Sequence, residues 1–463
     1  MRLRKRLQMM LVGFLVIFIL AVTCSPLSGL EPPYSLEDTS FYRVENVYYL
    51  KNAGNSNAED ITLEVQLVNE YLTKNMPYST LLSSQYYPEP DGVVIDEKGN
   101  RTGIYRFSQL KPGEERTIRL VYYYRVAGIT YNVNPELIGP YLPVIRALAP
   151  YLNPSPGIEC QDPLIINKAT ELTRGETNPY EKARIIFNFI NTHMRYAAKE
   201  GDSANRGALA ALKTGVGVCE DYSDLFAALL RAAGIPCRTV TGWMGKVDTQ
   251  VTVMDKTGVI SPGHIWVEYY LPNYGWIGAD PTYTYLNKGV SQVDYRRLTG
   301  LPELRYVEYS ESEEPLASYS YYGGKIEVYP EIKVTRSLQE PPVDLSHEPV
   351  TLYLEGIPLI FDVEPLIVEG RTMVPLRGIF SVVGAKVDWD DKERMITISS
   401  AGRTIILKIG DSTAWVNGHA VTLDTCARIV GNRTVVPLRF IGETLGLVVD
   451  WDGKMKTINL KIQ

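Results

Sequence analysis

The 463-residue chain holds only five cysteines and four histidines. So few thiols in so long a chain exclude the dense disulfide framework of a small secreted scaffold. With four imidazoles, each histidine can be weighed individually. Basic charge is also short: 47 Lys and Arg stand against 53 Asp and Glu, a net charge of −6, which argues against nucleic acid as a partner. An apolar run long enough for a comfortable membrane span, about 20 residues, is missing too. The run at residues 9–22 is shorter, follows Arg2, Arg4, Lys5 and Arg6, and suits an export signal.

Export sets the compartment. Ala21-Val-Thr-Cys24 resembles a lipoprotein processing box, in which Cys24 becomes the lipidated first residue; ordinary cleavage nearby and retention as a signal anchor are the alternatives. In each case the body of the protein is expected outside the cytoplasm, secreted or membrane-anchored at the cell envelope. A disulfide between Cys160 and Cys237 is conceivable there, although Cys237 in Gly-Ile-Pro-Cys-Arg-Thr-Val reads as a small buried residue at the start of a strand.

What is present is a succession of patterns, with 45% hydrophobic residues and enough chain for about three domains. After a signal segment at 1–24 and a polar linker at 25–39, residues 40–135 alternate with period two. Ile61, Leu63, Val65 and Leu67 interleave with Thr62, Glu64 and Gln66, and Ile118, Leu120 and Tyr122 repeat the pattern after a Lys-Pro-Gly-Glu turn. This predicts an immunoglobulin-like β-sandwich with no catalytic constellation, serving to space or dock the next domain. Residues 140–298 turn helical and then mixed. Asn178, Pro179 and Glu181 read as cap, first turn and capping-box partner of a helix burying Ala183, Ile186, Phe187 and Ile190. Residues 299–346, rich in Glu, Tyr, Ser and Pro, read as an extended linker with a stray hairpin around 325–334. In residues 347–463, Arg371-Thr-Met-Val-Pro-Leu-Arg377 recurs as Arg433-Thr-Val-Val-Pro-Leu-Arg439, and Val387-Asp-Trp-Asp390 as Val449-Asp-Trp-Asp452, at a constant offset of 62 residues.

Chemistry concentrates in the second region. Gly215-Val-Gly-Val-Cys219-Glu-Asp-Tyr-Ser-Asp-Leu-Phe reads as a glycine-rich turn that delivers Cys219 to the first turn of a buried helix, where the helix dipole and unpaired N–H groups favour a thiolate. Gly263-His264-Ile-Trp-Val-Glu-Tyr-Tyr-Leu271 alternates as a strand, Pro-Asn-Tyr-Gly275 turns it back, and the return strand ends at Asp280-Pro-Thr. Such a hairpin brings Asp280 close to the level of His264, with the register open to a bulge at Gly275 or Gly278. Taken singly, each residue has a plain structural role as packing thiol, core imidazole or turn aspartate. Together they have the types and order of a thiol triad: nucleophile, base and orienter. His193, in the last turn of its helix, ranks below His264 because helix ends attract histidine for dipole complementarity. The Cys219 N–H suits an oxyanion donor, with Asn205 a weak candidate for the second. Glu220, Asp221 and Asp224 oppose a thiolate unless they face solvent or a basic partner.

These three motifs together resemble the transglutaminase-like superfamily of papain-type thiol enzymes, over roughly residues 160–290. The resemblance implies an α+β papain-like core, catalytic roles for Cys219, His264 and Asp280, and acyl transfer from a protein or peptide amide through a thioester to water or an amine. The terminal repeat is similar to the α+β stalk-like domain named after the amino-terminal region of copper amine oxidases, which implies attachment to a cell-envelope or cell-wall component. That name does not imply copper. The tail offers only His347 and His419, with His419 read as a hairpin turn residue, so neither a metal nor another cofactor is expected. The competing reading is a catalytically silent scaffold or binding protein that kept the fold.

Overall fold

A computed structural model of the chain describes residues 33–96, 98–139, 141, 146–197, 206–244, 251–252, 263–282, 293–302, 305–309, 317–337, 339–340, 350–361, 363–400, 402–430 and 433–462. The expected signal segment with Cys24, and also Asn205 and His347, lie outside these residues.

The alternating stretches form two antiparallel sheets. In the first, Tyr34–Asn52 pairs with Glu115–Tyr131 along most of its length, and Ser79–Tyr87 flanks the latter. In the second, Ala58–Leu67 pairs with Arg101–Leu110, which pairs with Gly92–Ile95. Tyr42, Val44 and Tyr48 of one sheet share a core with Leu63, Val65 and Tyr105 of the other. The expected boundaries need correction. The first strand begins at Tyr34, within the expected 25–39 linker. Residues 299–346 are not an extended linker: Ile326–Ser337 pairs with Phe41 through Asn52, and Ala317–Tyr322 pairs with Ala58–Leu67. Both sheets are thus completed by strands from beyond residue 300, and an immunoglobulin-like module closed within residues 40–135 is not what the chain builds. The cause lies in Ile326, Val328, Ile332 and Val334, which alternate with charged residues and bury Ile326, Ile332 and Val334.

The mixed region lies between these strands in sequence. Asn178 caps Pro179–His193 as expected, accepting from Tyr180 N–H at 2.9 Å and Glu181 N–H at 3.3 Å, whereas the Glu181 carboxylate pairs with Arg184. Pro163–Leu172, Pro179–His193 and Gly207–Thr214 surround Cys219–Ala232. That helix shows water almost no face: besides Tyr222, Leu225, Phe226, Leu229 and Leu230, it buries Asp221, Ser223 and Asp224. Beside it runs a sheet ordered Gly275–Ala279, His264–Leu271, Cys237–Met244, Arg305–Tyr309. Leu72, Met76, Tyr78, Ile129 and Tyr131 of the sandwich enter the same hydrophobic core as this helix and sheet. Cys160 and Cys237 are both thiols, directed at the Leu152 and Ala227 carbonyls, so the conceivable bridge between them is not made.

The repeat folds as two equivalent units. Each has two short strands, an eight-residue helix (Leu376–Val383; Leu438–Leu445) and a hairpin. Arg371–Pro375 and Arg433–Pro437 pair antiparallel, with Val374 opposite its own equivalent, Val436. His419 follows the Asn417-Gly418 turn, with φ of 50° and 83°, and opens the exposed strand His419–Thr422. This domain packs on its neighbours: Ile357 and Ile462 lie against Tyr270, Trp276 and Tyr151.

Trypsin should spare Lys333 and Arg336 in the native protein and cut there only after urea unfolds it, because paired strand backbone does not fit a protease cleft. Rapid native cleavage at either site, read by mass spectrometry, would restore the linker interpretation.

Candidate active site

His264 opens an inner strand of the mixed region's four-stranded antiparallel sheet and Asp280 follows the last residue of the return strand. Val267 pairs with Ala279, so Asp280 continues to the level of Trp266 and reaches diagonally to His264. His264 Nε2 lies 2.8 Å from Asp280 Oδ2. A carboxylate only accepts, so Nε2 carries the hydrogen and Nδ1 holds the lone pair in the neutral ring. The other carboxylate oxygen, Oδ1, accepts from Thr282 N–H at 3.0 Å, and the Asp280 N–H donates to the Arg297 carbonyl at 2.8 Å. Asp280 is fully buried and His264 is 6% exposed. The side chains of His264 and Asp280 therefore meet, in a setting that shields their contact from water.

Cys219 is the first residue of its helix and half-buried. One turn further on, Ser223 Oγ donates to the carbonyl of Ile265, the residue after His264, at 3.2 Å. This bond pins the first turn of the helix to the start of the His264 strand. The approach to Cys219 follows from close packing. Gly215 ends the preceding helix with φ of 64°, a conformation that favours glycine. A Cβ on Gly217 would stand 2.3 Å from the Asp221 Cβ. Asp221 is buried and accepts from Val218 N–H at 3.0 Å and Arg206 N–H at 3.2 Å. Among the described residues, the Asp221 carboxylate thus meets neither solvent nor a basic side chain and accepts instead from backbone N–H groups at and before the helix start. Asp224 is buried as well, beside Gly157. Tyr196 stands near Cys219, its phenol pushed upward first by burial and then by its electrostatic interaction with Cys219.

His193 is occupied elsewhere: its Nε2 donates to the Leu212 carbonyl at 2.8 Å and its ring stacks on Phe189. This agrees with ranking it below His264.

Four linked side chains near His264 were not anticipated. Trp266 lies beside the imidazole on the same strand face, with ring planes 24° apart and centroids separated by 6.2 Å. Its Nε1 donates to the Tyr78 hydroxyl at 2.9 Å, and Tyr78 donates to Glu268 Oε1 at 2.8 Å. Glu268 Oε2 accepts from Arg238 Nε at 2.8 Å, and Arg238 also sits 4.0 Å over the Trp276 ring. Removing one partner of such a buried pair costs about 3–5 kcal/mol, far more than breaking an exposed one. The signal was Glu268 itself: it shares a strand face with His264 and Trp266, and a buried carboxylate there demands a cation.

Comparison with known proteins finds family matches over two stretches of the chain. Residues 166–281 match the Transglutaminase-like superfamily and residues 353–460 the Copper amine oxidase N-terminal domain. The first match contains Cys219, His264 and Asp280. A protein-glutamine gamma-glutamyltransferase of Pseudomonas aeruginosa is 32% identical over 168 residues, 34% of this chain and 22% of that protein. The uncharacterized protein YebA of Bacillus subtilis is 26% identical over 129 residues, 26% of this chain and 17% of its own length. The chain therefore spans about a fifth of the length of these relatives. The crystal structure of the periplasmic domain of TgpA from Pseudomonas aeruginosa is 18% identical, covers 51% of this chain and 87% of that one, and superposes with a TM-score of 0.27.

Gly217→Ala should destabilise the fold by about 1–3 kcal/mol, the usual cost of forcing extra volume into a packed site. Urea unfolding measures it; an unchanged midpoint would mean that Asp221 moves aside without penalty.

Proposed function

We propose that the transglutaminase-like core of this chain is a thiol enzyme acting on protein or peptide amides outside the cytoplasm, at the cell envelope, through a thioester on Cys219. The observation that carries this reading is the buried 2.8 Å hydrogen bond from His264 Nε2 to Asp280, on a strand fixed to the Cys219 helix. With Nε2 committed to the carboxylate, Nδ1 is the atom left to take the thiol proton. The Cys219 sulfur then attacks the amide carbonyl, and His264 returns the proton to the departing amine or ammonia. Water or an amine next attacks the thioester, giving its proton to His264 and releasing the Cys219 thiolate. The Cys219 N–H, at a helix start where no carbonyl of the preceding turn accepts it, suits the oxyanion. The Pseudomonas relative's name points to a glutamine carboxamide as acyl donor, which makes ammonia the first leaving group.

The export signal supplies the location, with Cys24 as the lipid-bearing residue, and the terminal repeat supplies contact with an envelope component. Peptidoglycan peptides fall within the substrate class by that location.

Wild-type protein should hydrolyse casein or incorporate a labelled primary amine into it, and Cys219→Ala should lose at least about 1000-fold of that activity. Alkylation of Cys219 against pH separates enzyme from silent scaffold. A reactive thiolate persisting well below the ordinary thiol range of about 8.5 supports the enzyme. An ordinary profile, unchanged by His264→Ala in folded protein, would refute it.

A further inference from the structure

Tyr78 belongs to the sandwich, in the turn before Ser79–Tyr87, yet its side chain lies behind His264. Its backbone is held by the Ala127 N–H, which donates to the Tyr78 carbonyl at 3.0 Å. Tyr78 and Trp266 are fully buried, and Glu268 is 2% exposed. An indole nitrogen only donates and an ionised carboxylate only accepts. The Tyr78 oxygen must therefore receive the indole hydrogen and pass its own to Glu268, so the hydroxyl has a single orientation. Burial first, and the Glu268 charge second, push the phenol well above its ordinary range, so it keeps its proton at any working pH. Arg238 fixes the far end of the chain by holding Glu268.

We propose that Tyr78 is a positioning residue: by locking the Trp266 indole beside the imidazole, the sandwich sets the orientation of His264 for its work on Cys219. This rests on the thiol-enzyme reading above. The sandwich is then a working part of the site, not a spacer. Without the hydroxyl the indole can rock, the imidazole beside it loses a fixed neighbour, and the thiolate–imidazolium pair forms less readily.

The test is the pH profile of Cys219 alkylation by iodoacetamide in the full-length protein, with thermal unfolding run in parallel. Tyr78→Phe and Trp266→Phe should each slow alkylation at pH 6 by about tenfold, and the double variant should be no slower than the more affected single one, because both remove the same bond. Tyr105→Phe deletes a buried hydroxyl elsewhere in the sandwich and should leave the profile unchanged. A folded Tyr78→Phe with the wild-type profile, losses that multiply in the double variant, or an equal shift in Tyr105→Phe would overturn the inference. Should Tyr78→Phe not fold, Trp266→Phe breaks the bond from its other end, and a wild-type profile there is equally fatal. A wild-type profile indifferent to His264→Ala is a different failure, that of the thiol-enzyme reading itself. A profile that depends on His264 but ignores Tyr78→Phe leaves that reading intact.

Discussion

The strand His264–Leu271 has almost no surface left for water: only Ile265 is more than marginally exposed. A strand buried on both faces needs a cover on each, and every polar group it carries must find a partner inside. The Cys219 helix is one cover and Tyr78 of the sandwich belongs to the other. That requirement accounts for the single core shared by sandwich and mixed domain. It also accounts for Arg238, whose guanidinium pairs with the buried Glu268 carboxylate.

The parts of the site on continuous stretches were legible in the sequence. A turn, a cysteine and an apolar helical stripe announce themselves locally, as do an alternating strand, a Pro-Asn-Tyr-Gly turn and a returning Asp-Pro. The hairpin register was open until the structure paired Val267 with Ala279 without a bulge between the strands. What escaped was non-local. Tyr78 lies some 190 positions before Trp266 in sequence, and nothing in its surroundings marks one tyrosine among 31 as special. The strand Ile326–Ser337 overlaps the hairpin expected around 325–334, but its partner, Phe41 through Asn52, lies far earlier in the chain, and Pro330 and the many charged residues give the stretch the composition of a linker. Periodicity outweighed composition, since a strand needs an apolar residue only at every second position.

The acidic residues after Cys219 follow the same logic. A carboxylate at the third helical position opposes a nearby thiolate through space, but it also answers the unpaired N–H groups that every helix start exposes. Asp221 takes the second role, buried against Gly217 with two backbone donors. The flank is thus part of how the turn before Cys219 holds its shape. Its burial required glycine at position 217, which explains why the turn is glycine-rich on the side that touches the helix.

The pairing of Val374 with Val436 means that the two repeat units meet through the same strand, related by an approximate two-fold rotation. Such a contact is isologous: whatever one unit offers, the other receives. A lone unit would carry Arg371–Pro375 as an open edge whose best complement is another copy of itself. The tandem repeat is therefore a dimer made within one polypeptide, and joining the halves removes the concentration dependence that two separate chains would face.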